Sequence, residues 1–302
     1  MTTDTTKNDR IMMKKGLIAL LLALTMVLPS CLNTSDSEPD PMAPGISIYR
    51  VAYTKNQLAM VPADAAVRLA MLLAEAEAQG ERWSDVEVDG KSVKQVLFSN
   101  DATITEEGTK YTIEFQKSGW YYYYGNVEVE TNGTSWSDDD FDWTITTSGL
   151  KADVNNGWTT VVYEYSDEGT TRLYNGPSDL TISLSNMKLM SSYDNMLLEG
   201  WTGLFNVEGF GTYSDCHGKE LKLNGEARDS SLSWKVENVH YKGVENQYTG
   251  QFVGQILSGK VTCAFVTPNY DKTEYPSSYV TINFSNNGQS YTIRYNGLES
   301  TR

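Results

Sequence analysis

Aromatic and acidic side chains are concentrated in one stretch of this 302-residue sequence, between residues 111 and 165. An exposed row of rings covers the apolar C–H face of a pyranose, while neighbouring Asp and Asn side chains form directional hydrogen bonds with its hydroxyl groups. The stretch therefore predicts a sugar-binding surface. The predicted ligand-binding residues are Trp120, Tyr122, Tyr124, Trp136, Trp143 and Trp158.

The same rings have a second interpretation as core residues. In a strand, Trp120, Tyr122 and Tyr124 point to one face, and the residues between them point to the other. Tyr and Trp are common in strands, and a fold with two β layers covers both faces of some strands. The pattern leaves core packing and a ligand surface both open.

A cluster of aspartates, which includes Asp138, Asp140 and Asp142, lies within this stretch. Several hard oxygen ligands suit calcium, although the cluster lacks the alternating spacing and central Gly of an EF-hand loop. An acidic hairpin tip exposed to water is the alternative. Apart from calcium at this cluster, the sequence predicts no cofactor.

Two cysteines in the body of the chain, Cys216 and Cys263, are candidates for a disulfide outside the cytoplasm. Cys263 also shares a predicted strand face with Val261 and Phe265, which favours burial as a small apolar side chain. The adjacent pair Cys216 and His217 lacks the ligand spacing of a zinc site. A disulfide and two buried thiols therefore remain alternatives.

Motifs that specify catalysis are missing from the sequence. There is no Gly-x-Ser-x-Gly elbow, no His-Glu-x-x-His helix, no phosphate-binding loop and no dinucleotide fingerprint. His217 and His240 are the only histidines available as a base. Glycoside hydrolysis needs two facing carboxylates, which this sequence does not single out. We therefore interpret the chain as non-catalytic, with a polysaccharide hydrolase as an alternative.

The amino-terminal region has the layout of a secretory signal peptide. Lys14 and Lys15 precede an apolar run from Leu17 to Leu28, and small residues and Cys31 follow. The apolar run is shorter than the roughly 20 residues that a transmembrane helix needs. We expect a cleaved leader over residues 1–30 and no permanent membrane span there.

The segment Leu28-Pro29-Ser30-Cys31 resembles the lipobox of bacterial lipoproteins, and the resemblance covers residues 1–40. It implies that Cys31 is acylated, becomes the first residue after cleavage and anchors the chain to a lipid bilayer. The acidic residues that follow are similar to the export signal of Bacteroidota-type surface lipoproteins. That similarity implies the outer face of the outer membrane, and a periplasm-facing anchor is the alternative.

Hydrophobic periodicity predicts a mainly β fold with one N-terminal α-helix. Residues from Pro62 to Gln79 have helical spacing, with Pro62 in the first turn and Gly80 as the stop. From Trp83 onward apolar residues alternate, as in half-buried strands. Asn-Gly or Asp-Gly pairs predict tight hairpin turns, so we expect antiparallel sheets in a sandwich or barrel-like arrangement. These pairs begin at residues 89, 132, 156, 175, 224, 287 and 296.

The sequence divides into five predicted segments. The signal peptide spans 1–30 and is followed by a flexible acidic tether over 31–45 and a helical segment over 46–82 that packs on the sheet. Similar strand and turn patterns then suggest two related β units, 83–198 and 199–302. Convergent hairpin sequences explain the same similarity without duplication.

The charge balance excludes one class of partner and leaves two others. Lys and Arg number 24 against 39 Asp and Glu, for a net charge of −15, so phosphate backbones are repelled and nucleic-acid binding is excluded. The leading hypothesis is a membrane-anchored envelope lipoprotein that binds an extracellular glycan. A structural or adhesive component that binds other envelope proteins is the alternative.

Overall fold

The computed structural model describes residues 40–117, 121–155, 159–176, 179–191, 193, 196–246 and 250–302. The predicted signal peptide, the lipidation site Cys31 and the tether as far as residue 39 lie outside this part of the chain. Two of the predicted ligand-binding residues, Trp120 and Trp158, also lie outside it.

Two long helices precede the strands, where the sequence predicted one. The predicted helix is confirmed at Val61–Gln79, with Gly80 as a left-handed cap, and a second helix ends just before it at Ala59. This second helix begins inside the predicted tether, and its buried residues Ile48, Tyr49 and Ala52 have helical spacing. The α-helices of the described residues are α1 (Ala43–Ala59), α2 (Val61–Gln79), α3 (Val93–Phe98) and α4 (Tyr213–Cys216).

The rest of the described chain is mainly strand, which confirms the predicted fold class. The apolar faces predicted from alternation, such as Leu180, Ile182 and Leu184, are buried. The strands are β1 (Glu87–Val88), β2 (Lys91–Ser92), β3 (Ala102–Glu107), β4 (Lys110–Phe115), β5 (Tyr123–Glu130), β6 (Asp142–Asn155), β7 (Thr160–Tyr165), β8 (Thr170–Tyr174), β9 (Asp179–Ser191), β10 (Met196–Glu208), β11 (Glu220–Arg228), β12 (Leu232–Glu245), β13 (Phe252–Phe265), β14 (Tyr279–Ser285), β15 (Ser290–Tyr295) and β16 (Leu298–Thr301).

Fourteen of these strands form one antiparallel sheet, and β1 and β2 form a separate hairpin. Strands β3 to β6 and β9 to β16 pair in sequence order. Strands β7 and β8 share the position between β6 and β9, where β7 pairs with one half of β6 and β8 with the other. The predicted unit boundary at 198/199 lies inside β10, which pairs with β9 on one side and β11 on the other.

The long strands are bent at bulges that contain glycine. Gly125 in β5 has a φ of +102°, and a Cβ atom there would overlap the carbonyl oxygen of Gly149 in β6. The pair Asn224 and Gly225, predicted as a hairpin turn, lies instead inside β11, where its register against β12 shifts. Bulges of this kind bend a strand and increase its twist, so they curve the sheet.

The two long helices cover the apolar face of this curved sheet. Helix α1 contacts β9, β10 and β12 to β14, while α2 contacts β5, β6 and β8. Every residue of α2 from Val61 to Leu72 is buried, as expected for a helix that is enclosed on all sides. Within the described residues no single helix has both the length and the apolar composition of a membrane span, although α1 and α2 taken together, across a bend of 50°, do.

A buried ion pair lies at the centre of this packing. Arg68 of α2 donates from Nε to Asp64 Oδ2 at 2.8 Å, one turn earlier on the same helix. Its Nη1 donates to the carbonyl oxygens of Leu97 at 2.8 Å and Phe252 at 3.4 Å. One guanidinium group therefore joins α2 to the end of α3 and the beginning of β13.

Replacing Arg68→Met should lower the free energy of unfolding by about 3 to 5 kcal/mol, because the Asp64 carboxylate is left buried without its partner. The double variant Asp64→Leu with Arg68→Met should recover part of this loss, since neither member of the pair is then left as an unpaired buried charge. Chemical denaturation of each variant measures the effect, with Arg50→Met on the exposed side of α1 as the control. A loss below about 1 kcal/mol for the single variant would contradict the proposed role of the pair.

Candidate functional site

Two of the predicted ligand-binding tryptophans lie in the core. Trp136 is 5% exposed and packs edge-on against Phe141 and Phe210, with ring centroids 4.8 and 4.6 Å away. Trp143 is 1% exposed, and its Nε1 donates to the carbonyl oxygen of Thr134 at 3.3 Å. The core interpretation therefore describes these two rings, and neither forms part of an open aromatic surface.

The run from Tyr121 to Tyr124 leads into β5, which begins at Tyr123, and its side chains alternate in burial, as strand alternation predicts. Tyr123 is buried, as is the preceding Tyr121, whose hydroxyl group donates to the carbonyl oxygen of Phe98. Tyr122 is partly buried, and burial raises the pKa of its hydroxyl group well above the usual value. Tyr124 is half-exposed, with the Lys117 ammonium 4.6 Å from its ring centroid.

Both core tryptophans nevertheless line a cavity of about 330 Å³ at the C-terminal end of α2. We call it the aromatic cavity. Its walls are the last turns of α2, the turn between β3 and β4, and the loop between β5 and β6. The side chains used below are Leu73, Glu77, Tyr111, Thr134, Trp136 and Trp143.

The loop between β5 and β6, residues 131–141, is held in shape by its own hydrogen bonds. Thr134 donates from Oγ1 to the carbonyl oxygen of Thr131 at 2.8 Å, and the Ser135 amide donates to Asp138 Oδ2 at 2.6 Å. Thr131 in turn donates from its amide to the carbonyl oxygen of Thr109 at 2.9 Å. The loop is therefore fixed to the β3–β4 turn, and two walls of the cavity form one unit.

Carboxylates lie beside the aromatic rings of the cavity. Glu77 at the end of α2 accepts a hydrogen bond from Ser137 Oγ at 2.9 Å, which fixes the helix to the loop. Outside the cavity, Glu106 accepts from the Tyr111 hydroxyl at 3.1 Å and from Trp83 Nε1 at 2.8 Å. Burial, together with the hydrogen bond to Glu106 and its charge, raises the pKa of Tyr111 to about 12, so this hydroxyl stays protonated and remains a donor.

The predicted calcium ligands do not converge. Asp142 binds Arg172 of β8 through both carboxylate oxygens, with the Nε atom 2.6 Å away, and this hydrogen bond lowers the pKa of the carboxyl group. Asp138 is occupied by the Ser135 amide, while Asp140 is exposed. No group of three or more His, Cys, Asp or Glu side chains in the described part of the chain is arranged to hold a metal ion.

The cysteines and histidines lie away from the aromatic cavity. Cys216 and Cys263 are both free and buried, so of the two alternatives the structure has buried thiols, and burial raises the pKa of both thiols. Cys263 is in β13 opposite Trp234, whereas Cys216 ends α4. His217 contacts the rings of Tyr213 and Phe252, and His240 pairs with Glu220.

A second and larger cavity, of about 650 Å³, lies between the β1–β2 hairpin, α3 and the beginning of β13. Its lining is mostly polar, with Glu87, Lys91, Gln95, Asn100 and Asp101 among the side chains. Among the described residues that line this second cavity, none is aromatic. The aromatic cavity is therefore the better candidate for the predicted stacking chemistry.

No protein-family model, curated protein or solved structure matches the chain. The candidate site therefore rests on its own geometry. Of its residues, the sequence pattern predicted Trp136 and Trp143 but missed Tyr111, Leu73 and Glu77. Tyr111 begins the aromatic stretch but is not among the predicted ligand-binding residues, and nothing in the local pattern around Glu77 indicates that the end of α2 meets the β5–β6 loop.

Replacing Trp136→Ala should lower the free energy of unfolding by about 3 to 5 kcal/mol, because it removes a large ring packed between two phenylalanines. Tyr124→Ala, which removes a half-exposed ring from a neighbouring strand, should cost less than about 1 kcal/mol. Urea denaturation compares the two. Equal, small losses would place the Trp136 ring outside the core.

Proposed function

We propose that the protein is a membrane-anchored, non-catalytic lipoprotein of the cell envelope that binds an extracellular glycan in the aromatic cavity. One observation carries the ligand part of the proposal. The partly exposed ring of Tyr111, the buried rings of Trp136 and Trp143 behind it, and the hydrogen-bonding groups of Glu77 and Thr134 line the same cavity. Sugars need both kinds of contact, since their rings have apolar C–H faces and polar hydroxyl edges.

The size and rigidity of the cavity fit this proposal. A volume of about 330 Å³ is at the lower end of the range for small-ligand sites, which suits one or two sugar residues. Trp136 and Trp143 are held by core packing, and the loop that carries Trp136 is held by internal hydrogen bonds. A site built in this way loses little conformational entropy on binding.

The anchoring part of the proposal rests on the lipoprotein-like segment that ends at Cys31. Two or more acyl chains hold a protein at a bilayer, because each buried CH₂ group contributes about 0.8 kcal/mol. The acidic residues after Cys31 support placement on the outer face of the outer membrane, by their similarity to the export signal of surface lipoproteins. A periplasm-facing anchor is the alternative position.

Mass spectrometry of the protein from its native membrane should find Cys31 as the first residue, carrying fatty acyl chains. Replacing Cys31→Ala should move the protein from the membrane fraction to the soluble fraction, since the acyl chains would have no attachment point. An uncleaved leader, or a mature first residue without acyl chains, would contradict the anchor. Protease treatment of intact cells then separates the outward-facing from the periplasm-facing position.

A second candidate function is adhesion to another envelope protein. An exposed apolar group at the β9–β10 hairpin favours it, because such surfaces are common in protein interfaces. Met190, Tyr193 and Met196 are 38, 80 and 40% exposed. This candidate places the functional surface at the hairpin and leaves the aromatic cavity without a role in binding.

The glycan proposal predicts that native gels containing a recognised polysaccharide retard the detergent-solubilised protein. Replacing Tyr111→Ala should weaken retention by about tenfold, because a ring contact with the sugar is lost. Tyr124→Ala, a half-exposed aromatic that does not line the cavity, serves as the matched control and should bind normally. Thermal melting of both variants checks that they remain folded.

Two results of this experiment would count against the proposal. Equal retention of the wild type and Tyr111→Ala would place glycan binding elsewhere on the protein. Failure of a broad polysaccharide panel to retard the wild type, together with stable co-purification of an envelope protein after crosslinking, would favour the adhesive function.

A further inference from the structure

The charged side chains that line the aromatic cavity or contact its lining residues are carboxylates. Glu77 is the only charged side chain among the described residues that line it. Two more carboxylates contact lining residues: Glu106 accepts from the Tyr111 hydroxyl, and Asp138 accepts from the Ser135 amide. A ligand in the cavity therefore experiences a negative potential, within a chain whose net charge is −15.

The neighbouring cations are occupied by other acids. Lys110, which follows the lining residue Thr109, pairs with Glu128 at 2.6 Å, and the charges of Glu107 and Glu130 also raise the pKa of its ammonium group. Arg172 is bound by both oxygens of Asp142. Neither cation is placed to compensate the charge of a bound anion.

The hydrogen-bonding chemistry of Glu77 also disfavours an anionic ligand. An ionised carboxylate only accepts hydrogen bonds, so it suits a sugar hydroxyl group or an ammonium group. A carboxylate or sulfate group on the ligand would meet the like charge of Glu77, which is exposed to solvent, so the repulsion between them is weakened by salt. Ser137 holds one oxygen of Glu77, so the side chain is not free to turn away without losing that bond.

We infer that the aromatic cavity is selective by charge: it takes uncharged or amino-bearing sugars and rejects uronic and sulfated sugars. Glu77 is the residue that sets this preference. The inference rests on the proposed glycan binding and adds the class of sugar, which neither the aromatic rings nor the volume of the cavity specifies.

Matched pairs of oligosaccharides that differ only at C6 test the inference. Galactose and galacturonate, glucose and glucuronate, and mannose and mannuronate oligomers of equal length would be titrated calorimetrically into the detergent-solubilised full chain. At about 20 mM salt, the acidic member of the recognised pair should bind at least about tenfold more weakly than its neutral counterpart. The difference should shrink at high salt, because screening weakens the repulsion.

Replacing Glu77→Gln should reduce the difference within the recognised pair to about threefold or less, mainly by strengthening binding of the acidic sugar. The amide keeps an acceptor oxygen for Ser137, so the shape of the wall is preserved. Glu226→Gln, an exposed position on β11, is the matched control and should leave the difference unchanged.

The outcomes separate this inference from the proposed function. Equal or tighter binding of the acidic sugar, or a difference that survives Glu77→Gln, overturns the charge selection while glycan binding stands. Failure of every neutral and acidic oligomer to bind overturns the proposed function, and this inference with it.

Discussion

A wide antiparallel sheet exposes an apolar face that water does not tolerate, and here helices α1 and α2 cover it. Because the bulged strands curve around these helices, α2 is buried along its first three turns. Its one buried cation, Arg68, must then have an opposite charge beside it, because an isolated buried charge costs on the order of several kcal/mol. Arg68 binds Asp64 and two carbonyl oxygens from separate elements, while its Nη2 atom and Asp64 Oδ1 are buried without a hydrogen-bond partner among the described residues. Because the two carbonyl oxygens belong to Leu97 at the end of α3 and Phe252 at the beginning of β13, these bonds fix α2 at a specific position relative to the sheet.

The candidate site follows from where this enclosed helix ends. The last turns of α2 reach the β5–β6 loop, and the contact between Glu77 and Ser137 joins them. The space between the helix end, the loop and the β3–β4 turn is the aromatic cavity. The tryptophans that line it are core residues first, and the small accessible part of each ring is held rigidly because the rest is packed.

Much of the fold could be predicted from local pattern alone. Alternation at Leu180, Ile182 and Leu184 predicted a strand with one buried face, and the spacing from Pro62 to Gln79 predicted a helix that packs on the sheet. Asn-Gly pairs were less decisive. The pair at 296 forms a tight hairpin turn, whereas the pair at 224 forms a bulge within a strand, because both conformations use the same backbone freedom at glycine.

The sequence by itself determined the mainly β class, the position of the longest helix and the concentration of aromatic side chains around the candidate site. These features depend on neighbours a few residues apart, where periodicity is visible. Only the tertiary structure decided that Trp136 and Trp143 are buried, that Asp142 is held by Arg172, and that Glu77 lies beside Tyr111 in one cavity. Those contacts join residues from separate elements, and their proximity depends on how the sheet curves around the helices, which no local pattern records.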